Sequence, residues 1–539
     1  MGEEHKTAQD GARPLPPGLT GESLRVALAA IASAIGPEKL VTDDLADFQD
    51  PFQFPGSAVN VPCGVVSPGS VEDVQAIVRI ANEHRVPLWP LGRGKNNGYG
   101  GAAPRVRGAL MLSFRNMTKV LEINEKLGYA IVEPGVSWFD LYKAIEAGGH
   151  NLAASIVEIG WGGVVSNTLE HGQTYMPYSI DQASHCGFEV VLANGDLLRT
   201  GSGAMENNPT WPLYKRGFGP TSTELFMQSN FGVVTKMGYW LMPKPEVYMP
   251  LWLQVWDDAQ MPAVVDALRE LMLAGTINMR PSMNNTLCIA SKNSARTDLY
   301  DGPGPVPEEI IDKIAKVLDV GRWMMRFALY GDEPIVDYNF AKLKKRFESI
   351  PSVRVTGKKH GADEFETLPS AVERVMIGVP STDLNKMSGW AGGDTGGHVD
   401  FSPVIPLTGE HARAAQDLFT KMSAEAGFDY LVGIVPINAR SAASVNIIPF
   451  NTTDEGQVRR AYAHAKRMVV VAGKLGYGAY RAHLSFMDPA ADQFGFNDHA
   501  QRRFNETIKD ALDPKGIIAP GKSGIWGGRF REAGFPQPE

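Results

Sequence analysis

Residues 91–101 read LGRGKNNGYGG. Gly92, Gly94, Gly98, Gly100 and Gly101 surround Arg93, Lys95, Asn96, Asn97 and one large aromatic, Tyr99. Glycine and asparagine tolerate positive φ, so this stretch encodes tight, irregular backbone. Such backbone turns several N–H groups toward one point and can cradle an anion. Five glycines with an Asn-Asn pair exceed what one turn requires. A diphosphate cradle, with charge added by Arg93 and Lys95, is therefore the stronger reading than a structural turn.

The residues before the loop set its context. Ser70-Val71-Glu72-Asp73 has the S-x-x-D form of a helix start. Val74, Ile77, Val78 and Ala81 follow at the spacing of one buried helical face, and the helix is expected to end near His84-Arg85. VPLWPLG (86–92) is a short β-like run leading into the glycines. The loop thus closes a helix–strand unit, whereas the glycines of a Rossmann unit open a helix.

Further strands are expected at ALMLSF (109–114) and YAIVEPG (129–135). FEVVLANGDLLRTG (188–201) reads as a hairpin turning at Asn194-Gly195. SWFDLYKAIEAGG (137–149) reads as a helix closed by glycine. Helices and strands intermix, which predicts an α+β fold. PKPEVYMP (243–250) reads as a seam. Beyond it the helical runs 261–275, 307–320 and 455–476 and the strands 251–256 and 444–450 predict a second domain, a sheet backed by helices. The Gly/Pro-rich ALDPKGIIAPGKSGIW (511–526) is expected to pack back on the first domain.

Bulk properties bound the function. A chain of 539 residues has room for two to four domains. A net charge of −8 argues against nucleic acid as the main partner. Cys63, Cys186 and Cys288 lie far apart, so buried thiols are expected rather than a disulfide framework or a zinc site. The polar first two dozen residues read as a loose arm without an apolar signal core. No run of about 18 apolar residues occurs, so no membrane span and a cytoplasmic location are expected.

Three more clusters bear chemistry. Glu158 opens EIGWGGVVSN (158–167), whose small residues allow a flat ligand to lie on the backbone. A carboxylate at the edge of an apolar run exchanges protons near neutrality if buried, and is an ordinary surface group if not. His398 stands in GGHVDFSP (396–403); a lone histidine is more often structural, yet its two preceding glycines admit a bulky group. No second histidine or cysteine stands at metal-ligand spacing. Tyr480-Arg481-Ala482-His483 offers a phenol and a guanidinium for an oxyanion, or simply a packed tyrosine beside a surface arginine. No G-x-S-x-G elbow is present.

GRGKNNGYGGAAPR, GWGGVVSNTLEHG, GFGP with QSNFGVVTKMG, GGHVDFSPV, GAYRAH and LDPKGIIAPGKSGIW occur in one order over residues 40 to 530. In that order they resemble the vanillyl-alcohol oxidase / p-cresol methylhydroxylase family of flavoproteins, in particular its para-phenol oxidases of the vanillyl-alcohol oxidase and eugenol oxidase type. The resemblance implies a two-domain α+β fold: a loose arm over 1–24, an FAD-binding domain over 25–245, a substrate cap over 246–485 and a C-terminal segment over 486–539 that rejoins the FAD-binding domain. It implies FAD held by Gly92, Arg93, Gly94, Lys95, Asn96, Asn97, Gly98, Gly162, Asn167, Asn230, Gly232 and Lys522, with a covalent histidyl link at His398. It also implies a phenolate clamp of Tyr99, Tyr480 and Arg481. Hydride then passes from the benzylic carbon of a para-substituted phenol to flavin N5, giving a quinone methide. The implied acceptor is O2, yielding H2O2; the alternative is a c-type cytochrome. A homodimer is implied, with no nucleic-acid or membrane partner.

Three positions depart from the family pattern. Glu158 stands near flavin N5 where several relatives carry the shorter aspartate. Asp400 adds a charge in the substrate pocket. His171 stands where arginine is common.

Overall fold

The computed structural model describes residues 13–53 and 60–536. Residues 1–12 of the expected arm lie outside it. The arm is shorter than 1–24, because the helix Gly21–Ile35 starts within it. The Thr20 and Ser23 side chains cap each other's backbone N–H there, and Leu24 is buried.

The helix before the glycine loop spans Val71–His84. The Ser70 hydroxyl accepts the Asp73 N–H at 3.2 Å, and Arg85 ends the helix in the left-handed region. It crosses over from Gly64–Val66 to Leu88–Leu91, two strands that pair in parallel with Leu110–Ser113 between them; Leu40–Val41 adds an antiparallel edge. A second, antiparallel sheet follows the order Val120–Asn124, Tyr129–Val132, Val233–Trp240, His185–Val191, Leu197–Arg199. Its last two strands form the expected Asn194-Gly195 hairpin.

The C-terminal stretch docks on the first sheet. Leu88 N–H donates to Ile517 O at 2.7 Å, and Ala519 N–H donates to Leu88 O at 2.8 Å. The buried Lys509 ammonium holds this turn by donating to Asp513 and to the carbonyls of Asn230 and Ile518, each at 2.7 Å.

The expected seam is narrower than 243–250. A strand begins at Val247 and continues to Val255, crossing Pro250. Pro250 falls where two short strands, Val353–Gly357 and His360–Gly361, leave a gap along the same edge, so its missing N–H breaks no ladder on that side. Among the described residues this strand belongs to a large antiparallel sheet. From Val353–Gly357 the order runs through Val247–Val255, Trp323–Gly331, Ser282–Asn285, Leu431–Pro436, Ser441–Asn451 and Gly396–Pro406 to Ala479–Arg481.

One face of this sheet is covered by helices. Phe401 meets Phe419 of the helix Gly409–Ala426 edge-on, and Phe327 meets Phe347 of the helix Glu333–Glu348 likewise. The helix Met261–Leu273 packs against both. Strand side chains alternate in direction. His398, Asp400, Ser402 and Arg326 therefore all point to the opposite face, toward the glycine loop and Glu158.

Candidate active site

The glycine loop lines a cleft of about 230 Å³. Gly92, Arg93, Gly94, Lys95, Asn96 and Tyr99 form one wall; Gly162, Asn167, Gly232, Arg481 and Lys522 contribute to the others. Tyr99 N–H and Gly101 N–H both return to Asn96 O. The backbone N–H groups of residues 93–97 have no hydrogen-bond partner among the described residues. That is an open row of donors on the wall of a cleft, which fits a diphosphate. Gly92 and Gly163 sit on either side of Ser166, where a Cβ on either glycine would collide with its hydroxyl. The charged residues of the loop are partly engaged: Arg93 donates to Gly135 O at 3.4 Å, and Lys95 lies 5.8 Å from the Trp161 ring centroid. Lys522 pairs with Glu170 at 2.7 Å at the cleft's edge.

Two residues expected at the cofactor also make hydrogen bonds within the protein. The Asn230 amide donates to Ala519 O and Ile525 O, bracing the C-terminal turn from a fully buried position. Asn97 donates to Asn385 on the far side of the loop.

His398, Asp400 and Gly98 meet at one point. His398 Nδ1 lies 2.8 Å from Asp400 Oδ1, and Asp400 N–H donates to Gly98 O at 3.1 Å. Phe52 packs on the imidazole at 5.1 Å between centroids. Gly98 has φ 74°, and a Cβ there would lie 2.6 Å from Asp400 Oδ2 and 2.8 Å from His398 Cε1. Only glycine meets both demands.

Tyr99, Tyr480 and Arg481 come together. The Arg481 guanidinium lies 4.0 Å from the Tyr99 ring centroid and 5.6 Å from that of Tyr480. The Tyr99 hydroxyl is 3.1 Å from Ser402 Oγ, and Ser402 is the strand partner of Arg481. Burial pushes the Tyr99 phenol well above its ordinary range, with Tyr480 adding to the rise and Arg481 opposing it. Tyr99 is thus a neutral donor. The Arg481 Nε is buried without a partner. On the other side of Arg481 lies a second cavity of about 310 Å³, also lined by Tyr480, His171 and Phe494. His171 holds a left-handed backbone (φ 52°), and burial lowers its imidazole below the ordinary value.

Glu158 is neither free nor fully solvated. The Tyr175 hydroxyl donates to it at 2.9 Å, and it forms an ion pair with Arg326. Arg326 lies 4.5 Å from the Tyr175 ring centroid. Burial pulls the Arg326 guanidinium down to about 9. Burial also raises the Tyr175 phenol; Arg280 opposes the rise and Tyr480 adds to it. Sequence reasoning missed Arg326, Tyr175 and Ser402. A lone arginine inside the apolar run WMMRFAL (323–329) is the signal available for the first.

Cys63, Cys186 and Cys288 are buried free thiols. Among the described residues no cluster of three or more His, Cys, Asp or Glu side chains is placed to hold a metal, and no helix is long and apolar enough to cross a membrane.

Residues 62–201 match the FAD binding domain family, and residues 442–523 match the C-terminal domain of FAD linked oxidases. The chain is 33% identical over 516 residues to the 4-cresol dehydrogenase (hydroxylating) flavoprotein subunit of Pseudomonas putida, covering 95% of this chain and 97% of the relative. Its fold superposes on 4-ethylphenol oxidase from Gulosibacter chungangensis, solved with isoeugenol, with TM-score 0.91 and 34% identity over 96% of this chain and 100% of that one. Substrate-bound p-cresol methylhydroxylase gives TM-score 0.90 and 32% identity over 95% and 99%. Open loop donors, a histidine held against the loop, and likeness along the whole chain converge: this chain belongs to the vanillyl-alcohol oxidase / p-cresol methylhydroxylase family of FAD-dependent oxidoreductases.

Proposed function

We propose that the enzyme oxidises para-substituted phenols at the benzylic carbon. One observation carries this reading: the Arg481 guanidinium, stacked on Tyr99, reaches the cleft with its buried Nε unpartnered. A buried donor without an acceptor costs about 1–3 kcal/mol, and a phenolate oxygen relieves it. The phenol activities of the relatives described above support the same class.

The loop N–H groups of residues 93–97 would hold the FAD diphosphate, and His398 would carry the covalent link. When bound, the flavin accepts the hydride. Tyr99 and Tyr480 donate to the phenol oxygen of the substrate, and Arg481 supplies positive charge beside it. These preorganised donors favour the ionised phenol. Ionisation pushes electron density toward the para carbon, so hydride departs from the benzylic position and a quinone methide remains. Water adds to that species to give an alcohol, or a β-proton leaves to give an alkene. Residues 25–245 with 486–539 form the cofactor part in this reading, and 246–485 the cap.

The proposed acceptor is O2; a c-type cytochrome is the second reading. Turnover of 4-ethylphenol in air, with and without cytochrome c, tests the choice. Stoichiometric H2O2 is expected. Reduced flavin that persists in air for minutes but reoxidises with cytochrome would overturn it.

A further inference from the structure

Arg326 is 2% exposed, and its Nε and Nη1 atoms have no hydrogen-bond acceptor among the described residues. Its Nη2 forms the ion pair with Glu158, its one polar contact among the described residues, and the Glu158 carboxylate also takes the Tyr175 hydroxyl. A buried guanidinium has five N–H donors in a rigid fork. Leaving most of them unpaired is costly, and native structures retain such groups chiefly where a ligand or water completes them.

The position of Arg326 narrows what completes it. It stands on the helix-free face of the large sheet, the face that also carries His398, Asp400 and Ser402. Arg326 stacks on Tyr175, whose hydroxyl donates to Glu158. We infer that Arg326 is a specificity-determining residue that donates to an oxygen on the para side chain of the phenol. The inference rests on the phenol reading of the site. Charge decides the kind of oxygen. Arg326 and Glu158 already balance, and a second carboxylate would face Glu158 across the guanidinium. A neutral acceptor, the oxygen of a carbonyl, hydroxyl or ether, fits; a purely alkyl side chain leaves the donors unpaired.

Two phenols without a benzylic hydrogen separate binding from turnover. 4-Hydroxyacetophenone carries a para carbonyl, and 4-tert-butylphenol carries none. Both are titrated into the holoenzyme while the flavin absorbance is followed, for the native protein, Arg326→Met and Arg326→Lys. Arg326→Met should weaken 4-hydroxyacetophenone by roughly tenfold or more, the worth of one charge-assisted hydrogen bond, and leave 4-tert-butylphenol within about twofold. Arg326→Lys keeps the charge, guards against a variant that fails to fold, and should give a smaller loss confined to the ketone. Equal weakening of both ligands, or of neither, would overturn the assignment. Native enzyme that binds neither phenol would instead refute the phenol reading on which it rests.

Discussion

The His398 imidazole and the Asp400 carboxylate lie 2.8 Å apart, Nδ1 to Oδ1, and both press on Gly98. With the Nδ1 proton donated to Asp400, Nε2 keeps the lone pair that a covalent flavin link requires. Phe52 closes the other side of the ring. Acid-precipitated native protein should therefore stay yellow. His398→Ala should release its flavin to the supernatant, and Asp400→Asn should lower the attached fraction. Flavin released in full from the native protein would contradict the link.

Gly98→Ala tests the contact from the other side. The left-handed backbone costs an L-residue about 1–2 kcal/mol, and the new Cβ would meet Asp400 and His398 inside van der Waals distance. A lower melting temperature and a reduced attached fraction are expected together. A variant that loads flavin like the native enzyme would show that the loop moves freely against His398.

Tyr99→Phe keeps the ring beneath Arg481 and removes only the hydroxyl that meets Ser402. Loss of one preorganised oxyanion donor should lower kcat/KM for 4-ethylphenol about 10²-fold, with flavin content unchanged. Flavin loss equal to the activity loss would reassign Tyr99 to cofactor binding.

Asp50 anchors the chain beside His398. Its carboxylate accepts from Tyr462 at 2.8 Å and Phe52 N–H at 3.0 Å and pairs with His483 Nε2 at 3.0 Å. Burial raises its pKa, but His483 and these hydrogen bonds outweigh it, so the folded value lies below the ordinary one. A lowered folded value means the unfolded chain takes up the proton first as pH falls. The stabilisation is complete above the unfolded pKa of about 4, and it is lost as pH drops through the folded value. Asp50→Ala should cost about 3–5 kcal/mol near neutrality, as expected when one partner of a buried pair is removed, and less in acid. Thermal melts against pH check both; an equal loss at every pH would remove Asp50 from the acid response.

Much of this site was legible in the sequence, for reasons tied to short range. The Ser70 cap, the Asn194-Gly195 hairpin and the glycine loop are local, so residue type and spacing specify them. Tyr99, Tyr480, Arg481 and His398 were legible only through six motifs taken in order, because the contacts joining them span hundreds of residues. Arg326 escaped because its role depends on which face of a central strand it occupies. That face is set by register with the neighbouring strands Val247–Val255 and Ser282–Asn285. The amide directions of Asn230 and Asn97 were not legible for a related reason: the motif fixes a residue's neighbourhood but not where its side chain points. The helix starting at Gly21 was missed because Pro16, Pro17 and Gly18 just before it read as disorder.

The Tyr99–Tyr480–Arg481 cluster is proposed to ionise a para-substituted phenol for benzylic hydride loss. Anaerobic stopped-flow mixing of the holoenzyme with 4-ethylphenol tests it most directly. Flavin absorbance is expected to bleach in a single turnover, and Arg481→Met to slow the bleaching about 10²-fold or more. The methyl ether of the same phenol, which cannot ionise, should leave the flavin oxidised. Bleaching by the ether at a comparable rate, or full-rate bleaching in Arg481→Met, would contradict it.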